Sequence, residues 1–252
     1  MDRSGSFLPP YMSTRTTGLC LAALFLIAAG LSSISAGFEI SEIRLLSVLL
    51  DEQTIAWNDR WAHGVLRTAL AAARATLLVA TVPVFLIWLY SARVNVRSFG
   101  SRRFRYSRKW TYLGFLIPGA NLVIPFQVIS EVWQASDSRG IATPVAWKAI
   151  RVPGFVRWWW GLLLGSLALE LIAAALVTSV GADLGRIRLA RGMSALSDVG
   201  VAASAVLAYL LVTGISNGQD RKWAVLCGDR VPHAPIPDAI PSLGEPVTAG
   251  FP

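Results

Sequence analysis

The sequence predicts an all-α, polytopic helical membrane protein with four transmembrane helices and one proline-broken segment that is re-entrant or interfacial. Three observations carry this. Of 252 residues, 54% are hydrophobic and only 15% are charged, against about 25% charged in soluble domains; the mean hydropathy is +0.53. The apolar residues come in blocks of spanning length rather than in alternation, the pattern of membrane helices and not of a membrane barrel. One block, Trp110–Trp133, contains Pro118, Gly119, Asn121, Pro125, Gln127 and Glu131. Lipid cannot satisfy the backbone groups that such breaks release, so this block is expected against protein, water or the membrane surface.

Residues 1–17 form a polar leader. Gly18–Phe38 is the first span; Ser33-Ile34-Ser35 offers a small-x-small site at which it would alternatively be cleaved as a signal peptide. Residues 39–67 read as a long loop outside the membrane, with Glu39, Glu42, Asp51, Glu52 and Asp59 beside Arg44, Arg60 and Arg67. Ile43, Leu46 and Leu50 recur at helical spacing, as in a helix lying in the interface. Thr68–Tyr90 is the second span, with Arg74 and Pro83 inside it. Residues 91–109 hold seven basic residues and no acid. After the broken segment and a second basic loop, Trp158–Val180 is a span with Glu170 near its centre. Leu196–Ser216 is the last span, followed by a polar, proline-rich tail expected to be flexible from 219. The domain reading is therefore leader 1–17, first span and amphipathic loop 18–67, membrane module 68–218 and tail 219–252.

Charge bias orients the chain. If the broken segment does not cross, sixteen basic residues fall on the side of the N-terminus and seven, Arg74 included, on the other; if it crosses, the division is twelve and eleven. The first arrangement carries the bias, so both termini are expected in the cytoplasm and the protein in the inner membrane. Nucleic-acid binding is not expected, since no recognition motif accompanies the charge. The two cysteines and two histidines make no metal or redox pattern, and no cofactor is expected. Gly-rich phosphate loops, a His-Glu zinc helix and a Gly-x-Ser-x-Gly elbow are absent.

The runs ARVNVRSF (92–99), YSRKW (106–110) and GFLIPGANLVIPFQVISEVWQAS (114–136) resemble the bacterial DUF4328 family of polytopic membrane proteins of unknown function. The resemblance rests on Arg93 and Asn95, Ser107 and Trp110, Pro118, Asn121, Leu122 and Pro125, and Glu131, Trp133 and Ser136, with Trp158 and Trp159 opening the next span. It implies four spans and a membrane location, and brings no activity. Phe126-Gln127 stands where the family often has a basic residue, which argues against an anion site there.

Each candidate has a structural and a functional reading. Pro118 to Pro125 with Asn121 reads as a hinge, or as a polar cavity lining like those of transporters. Glu170, too deep to reach either surface, reads as a structural pair with Arg74 or as a proton or cation site. Arg60, Arg67 and Arg74, seven apart, read as one helix stripe that snorkels to headgroups, or as a binding face for lipid phosphates or an anionic ligand. The basic loops are the largest exposed feature and predict contact with anionic lipid headgroups. The expected function is accordingly a membrane scaffold that interacts with partners or lipid; a small transporter using Glu170 and Asn121, and a lipid-acting enzyme built on Arg60, His63 and Arg67 near Glu39–Asp59, are the alternatives.

Overall fold

The computed structural model describes residues 11–50, 57–179 and 183–228, with the side chains of 49, 50 and 57–60 outside the description. The described residues form six α-helices and no strand: α1 (Arg15–Leu50), α2 (Trp57–Ser98), α3 (Trp110–Leu116), α4 (Ile124–Ser136), α5 (Gly154–Thr178) and α6 (Leu184–Gly228). Four of them, α1, α2, α5 and α6, are long and apolar enough to cross a membrane.

The helices run longer than the apolar blocks predict. The expected loop 39–67 is mostly helix: α1 continues to Leu50 and α2 starts at Trp57. The helical spacing of Ile43 and Leu46 is real, but it extends α1 instead of building a separate helix in the membrane plane. The acids Glu39 and Glu42 make this possible because they point inward to cations, 9% and 3% exposed. At the other end α6 outruns the expected tail by ten residues, to Gly228. Asp51 and Glu52, and the proline-rich stretch beyond 228, lie outside the described residues.

The helix α6 is the hub. It packs along α1 on one side and α5 on the other, and α2 packs mainly on α1. The chain connections make α2 and α6 parallel, and both antiparallel to α1 and α5. At 1.5 Å per residue, α2 and α6 are roughly 60 Å long, about twice the hydrocarbon thickness, so their ends reach past it. Two layers result. At the end holding Arg15, Ser98, Gly154 and Gly228, a dense aromatic and aliphatic core forms around Trp88, Leu89, Trp147, Trp159, Leu211 and Ile215. At the opposite end the interior is polar.

The broken segment breaks as its residues dictate. Helix α3 stops at Leu116, because Pro118 lacks an N–H and Gly119 takes φ +80°, a region open to glycine. A single 3-10 turn, Ala120–Leu122, follows, and Pro125 sits in the first turn of α4, where its missing N–H costs nothing. The result is a hairpin: Gly114 of α3 lies so close to Ile124 that a Cβ would meet its side chain at 2.8 Å. Its tip exposes Leu116, Ile117, Leu122 and Val123. Neither arm has spanning length.

Candidate functional site

At the core end the motif residues form one buried polar network. Arg93, 1% exposed, donates through Nη2 to Glu131 Oε2 at 3.0 Å and to the Tyr106 carbonyl at 2.8 Å. Its guanidinium lies 4.1 Å over the Phe104 ring, which stacks on Trp147. The other oxygen of Glu131 accepts from the Arg105 N–H at 2.7 Å. This ties α2, the basic loop and α4 together.

Asn95, fully buried, grips the leader by its backbone. Its Oδ1 accepts from the Met12 N–H at 3.0 Å, and its Nδ2 donates to the Met12 carbonyl at 2.7 Å and to Gln219 Oε1 at 3.0 Å. Gln219 in turn donates to the Ala92 carbonyl and to Ser136 Oγ. One turn on, Lys222, 1% exposed, donates to the Ala135 carbonyl at 2.9 Å. That carbonyl is among the free ones at the C-terminus of α4, where a cation is favoured, so Lys222 is a helix cap. Tyr11 donates to Asp220 and stacks 5.0 Å from Trp223; burial, with Asp220 beside it, holds its hydroxyl pKa above the ordinary tyrosine value.

At the opposite end a seam of charge runs between α1, α2 and α6. Glu42 accepts from Arg67 and lies 3.3 Å from Arg191 Nε and 3.8 Å from His63 Nδ1. Glu39 lies 3.5 Å from Arg191 Nη1. Deeper in the membrane, Arg74 pairs with Asp198 at 2.5 Å, and Asp198 is fully buried. Most of the buried side-chain atoms without a hydrogen-bond partner among the described residues belong to this seam: Ser35 Oγ, one oxygen each of Glu39 and Glu42, His63 Nδ1, Arg191 Nε and both oxygens of Asp198. Arg67 and Arg74, seven residues apart, are both ion-paired, to Glu42 and Asp198, while the Arg67 side chain stays 46% exposed; the Arg60 side chain lies outside the described residues.

The predicted residues separate accordingly. Arg93, Asn95 and Glu131 meet in the core-end network, and Trp133 packs edge-on against Phe155. Trp110 opens α3, its N–H on the Ser107 carbonyl. Pro118 and Pro125 bound the hairpin turn. Asn121 closes that turn through its backbone N–H to the Ile117 carbonyl; its side chain makes no hydrogen bond among the described residues. Of the tryptophans, Trp159 turns inward while Trp158 is 69% exposed; the inward partner is Trp160, whose Nε1 donates to the Leu122 carbonyl at 2.7 Å. Arg74 and Glu170 are not a pair, since the ionic partner of Arg74 is Asp198. Leu122, next to Asn121, accepts from Trp160, and Glu170 lies ten residues beyond Trp160, about 15 Å along α5.

Sequence reasoning passed over Asp198, Gln219 and Lys222. Each left a signal. Asp198 is the one acid in the last apolar block, Leu196–Ser216. Gln219 and Lys222 continue the buried stripe of Leu211 and Ile215 at helical spacing.

Two open grooves mark the polar end. One is lined by Ile43, Arg188, Leu189, Met193 and Leu196, and the other by Trp61, Gly64, Thr68 and Ala72. No group of three or more metal-ligating side chains occurs among the described residues. The family model described as "Domain of unknown function (DUF4328)" matches residues 48–217. No curated protein and no solved structure matches.

Proposed function

We propose that this chain, which belongs to the DUF4328 family, is a membrane scaffold that presses a basic platform against anionic lipid headgroups on the cytoplasmic face of the inner membrane. The observation that carries the reading is the distribution of charge. Residues 91–157 hold eleven basic and two acidic residues, whereas the rest of the chain holds twelve basic and thirteen acidic. Both acids of that segment are already engaged, Glu131 by Arg93 and Asp137 by Arg139. Arg103, Arg105, Arg108, Lys109, Lys148, Arg151 and Arg157 are exposed around the hairpin base. The exposed apolar tip of the hairpin suits insertion among acyl chains, which would set these cations at headgroup depth. The positive-inside bias supports a cytoplasmic platform and cytoplasmic termini. The network of Arg93, Asn95 and Glu131 is then the frame that fixes the platform to the spans.

The test is lipid retention. Protein in nanodiscs of mixed phosphatidylglycerol and phosphatidylcholine is extracted, and the lipids that remain bound are counted by native mass spectrometry. Enrichment of phosphatidylglycerol, reduced when Arg103, Arg108, Lys109 and Arg151 are changed to glutamine, is expected, since each such cation near an anionic surface contributes about 1 kcal/mol. Equal retention of the two lipids overturns the reading.

A further inference from the structure

We propose that the side of α5 bearing Glu170, with Asp198 of α6 behind it, docks a transmembrane helix of another protein that carries a lysine or arginine at that depth. The starting point is an imbalance of charge. Arg74 from α2 reaches Asp198, whose Oδ2 has no hydrogen-bond partner among the described residues although the residue is 0% exposed. On the α5 side, Glu170 lies one turn beyond Ser166, whose carbonyl accepts from the hydroxyl of Ser197, the neighbour of Asp198. Arg74 is therefore committed to Asp198, and Glu170 is left without a cation among the described residues.

The geometry leaves this site open sideways. Helices α2 and α5 flank α6 without forming an interface with each other. Nearer the core end the space beside them is filled by the hairpin, through Phe85–Phe115, Trp133–Phe155 and Trp160–Leu122 contacts. Beyond the hairpin nothing described covers Glu170, which is exposed and has no ion pair or hydrogen bond among the described residues. Its exposed neighbours on α5 are Leu167, Leu171 and Ile172, so the surroundings are lipid.

A carboxyl group there needs a cation or donor that arrives through the membrane. A hydrated metal ion does not fit, because too few oxygen ligands converge. A lysine or arginine on a neighbouring helix supplies the missing charge, and helix association in lipid is driven by such polar contacts together with packing. A second copy is a poorer occupant, since Arg74, the one basic residue of the described mid-span segments, is already paired.

The full chain, labelled at Cys227 in a Cys20→Ser background, is placed in phosphatidylcholine vesicles. Two synthetic leucine-alanine spanning helices with an acceptor dye are titrated in, one with a single central lysine and one with leucine in its place. Association is read as energy transfer. The lysine helix is expected to associate at a tenfold lower mole fraction than the leucine helix. Glu170→Gln is expected to remove the difference without shifting thermal unfolding, because Glu170 holds no partner among the described residues. Equal association of the two helices, or a difference that persists in Glu170→Gln, overturns the proposal. So does a change in energy transfer between labelled copies of the protein on Glu170→Gln, which would assign the face to self-association.

Discussion

Arg93 has no route to water, and its charge is tolerated only because Glu131, the Tyr106 carbonyl and the Phe104 ring surround it. Removing one member of a buried ion pair leaves the other uncompensated and typically costs about 3–5 kcal/mol. Glu131→Leu is therefore expected to destabilise by that order, measured by unfolding in detergent, and Arg93→Met with Glu131→Leu to recover part of the loss. Gly214 is the second sensitive position: a Cβ there would meet the Trp133 ring at 2.7 Å, so Gly214→Ala is expected to cost about 1–3 kcal/mol through overpacking, unless the ring shifts. Asp137 shows how pH enters. Its hydrogen bonds to Arg139, the guanidinium first, hold its pKa below the usual value. Its contribution is present above the ordinary carboxylate range and lost as pH falls through the depressed pKa. At this scale the sequence was readable where identity constrains geometry, as at Pro118 and Pro125. It was not readable where a partner decides the role: nothing about Arg74 alone distinguishes Asp198 from Glu170.

The hairpin is the element that sequence patterning defined best, because prolines and a glycine leave little choice of backbone. Gly119 at φ +80° makes a direct prediction. Gly119→Ala places a Cβ in the left-handed region, at about 1–2 kcal/mol, although nothing lies within 4 Å of that position to clash. Trp160→Phe removes the bond to the Leu122 carbonyl and is expected to loosen the tip, seen as faster amide exchange over 116–124, with a loss of about 1 kcal/mol. The ends of α1, α2 and α6 were less legible. Hydropathy places a boundary where apolar residues stop, but a helix goes on wherever its polar residues find partners. Glu39 and Glu42 continue α1 because Arg67 and Arg191 face them, and Gln219 and Lys222 continue α6 because Asn95 and the end of α4 do.

Over the whole molecule the net charge of +8 divides between the ends: basic residues crowd the loops at one, and acids neutralise arginines at the other. This predicts topology. A cysteine at Val145, which is exposed, in a background lacking Cys20 and Cys227, is expected to react with a membrane-impermeant maleimide only after the membrane is opened; labelling from outside with the membrane intact would reverse the assignment. Four spans were legible from composition and block length, whereas the order in which they pack was not, since lipid-facing and partner-facing leucines look alike in sequence. That order also shapes how the protein is made. The most extensive helix contact joins α1 to α6, the earliest of the four described spans to the latest. At about 5–20 residues per second, α1 waits on the order of ten seconds or more for its main partner. Until then α2 and α5 sit in the bilayer without the helix that organises them, and a chain halted before α6 leaves Glu39, Glu42 and Arg74 without Arg191 and Asp198. Such a nascent chain holds Arg74 within the second span before the Asp198 that pairs it has been made.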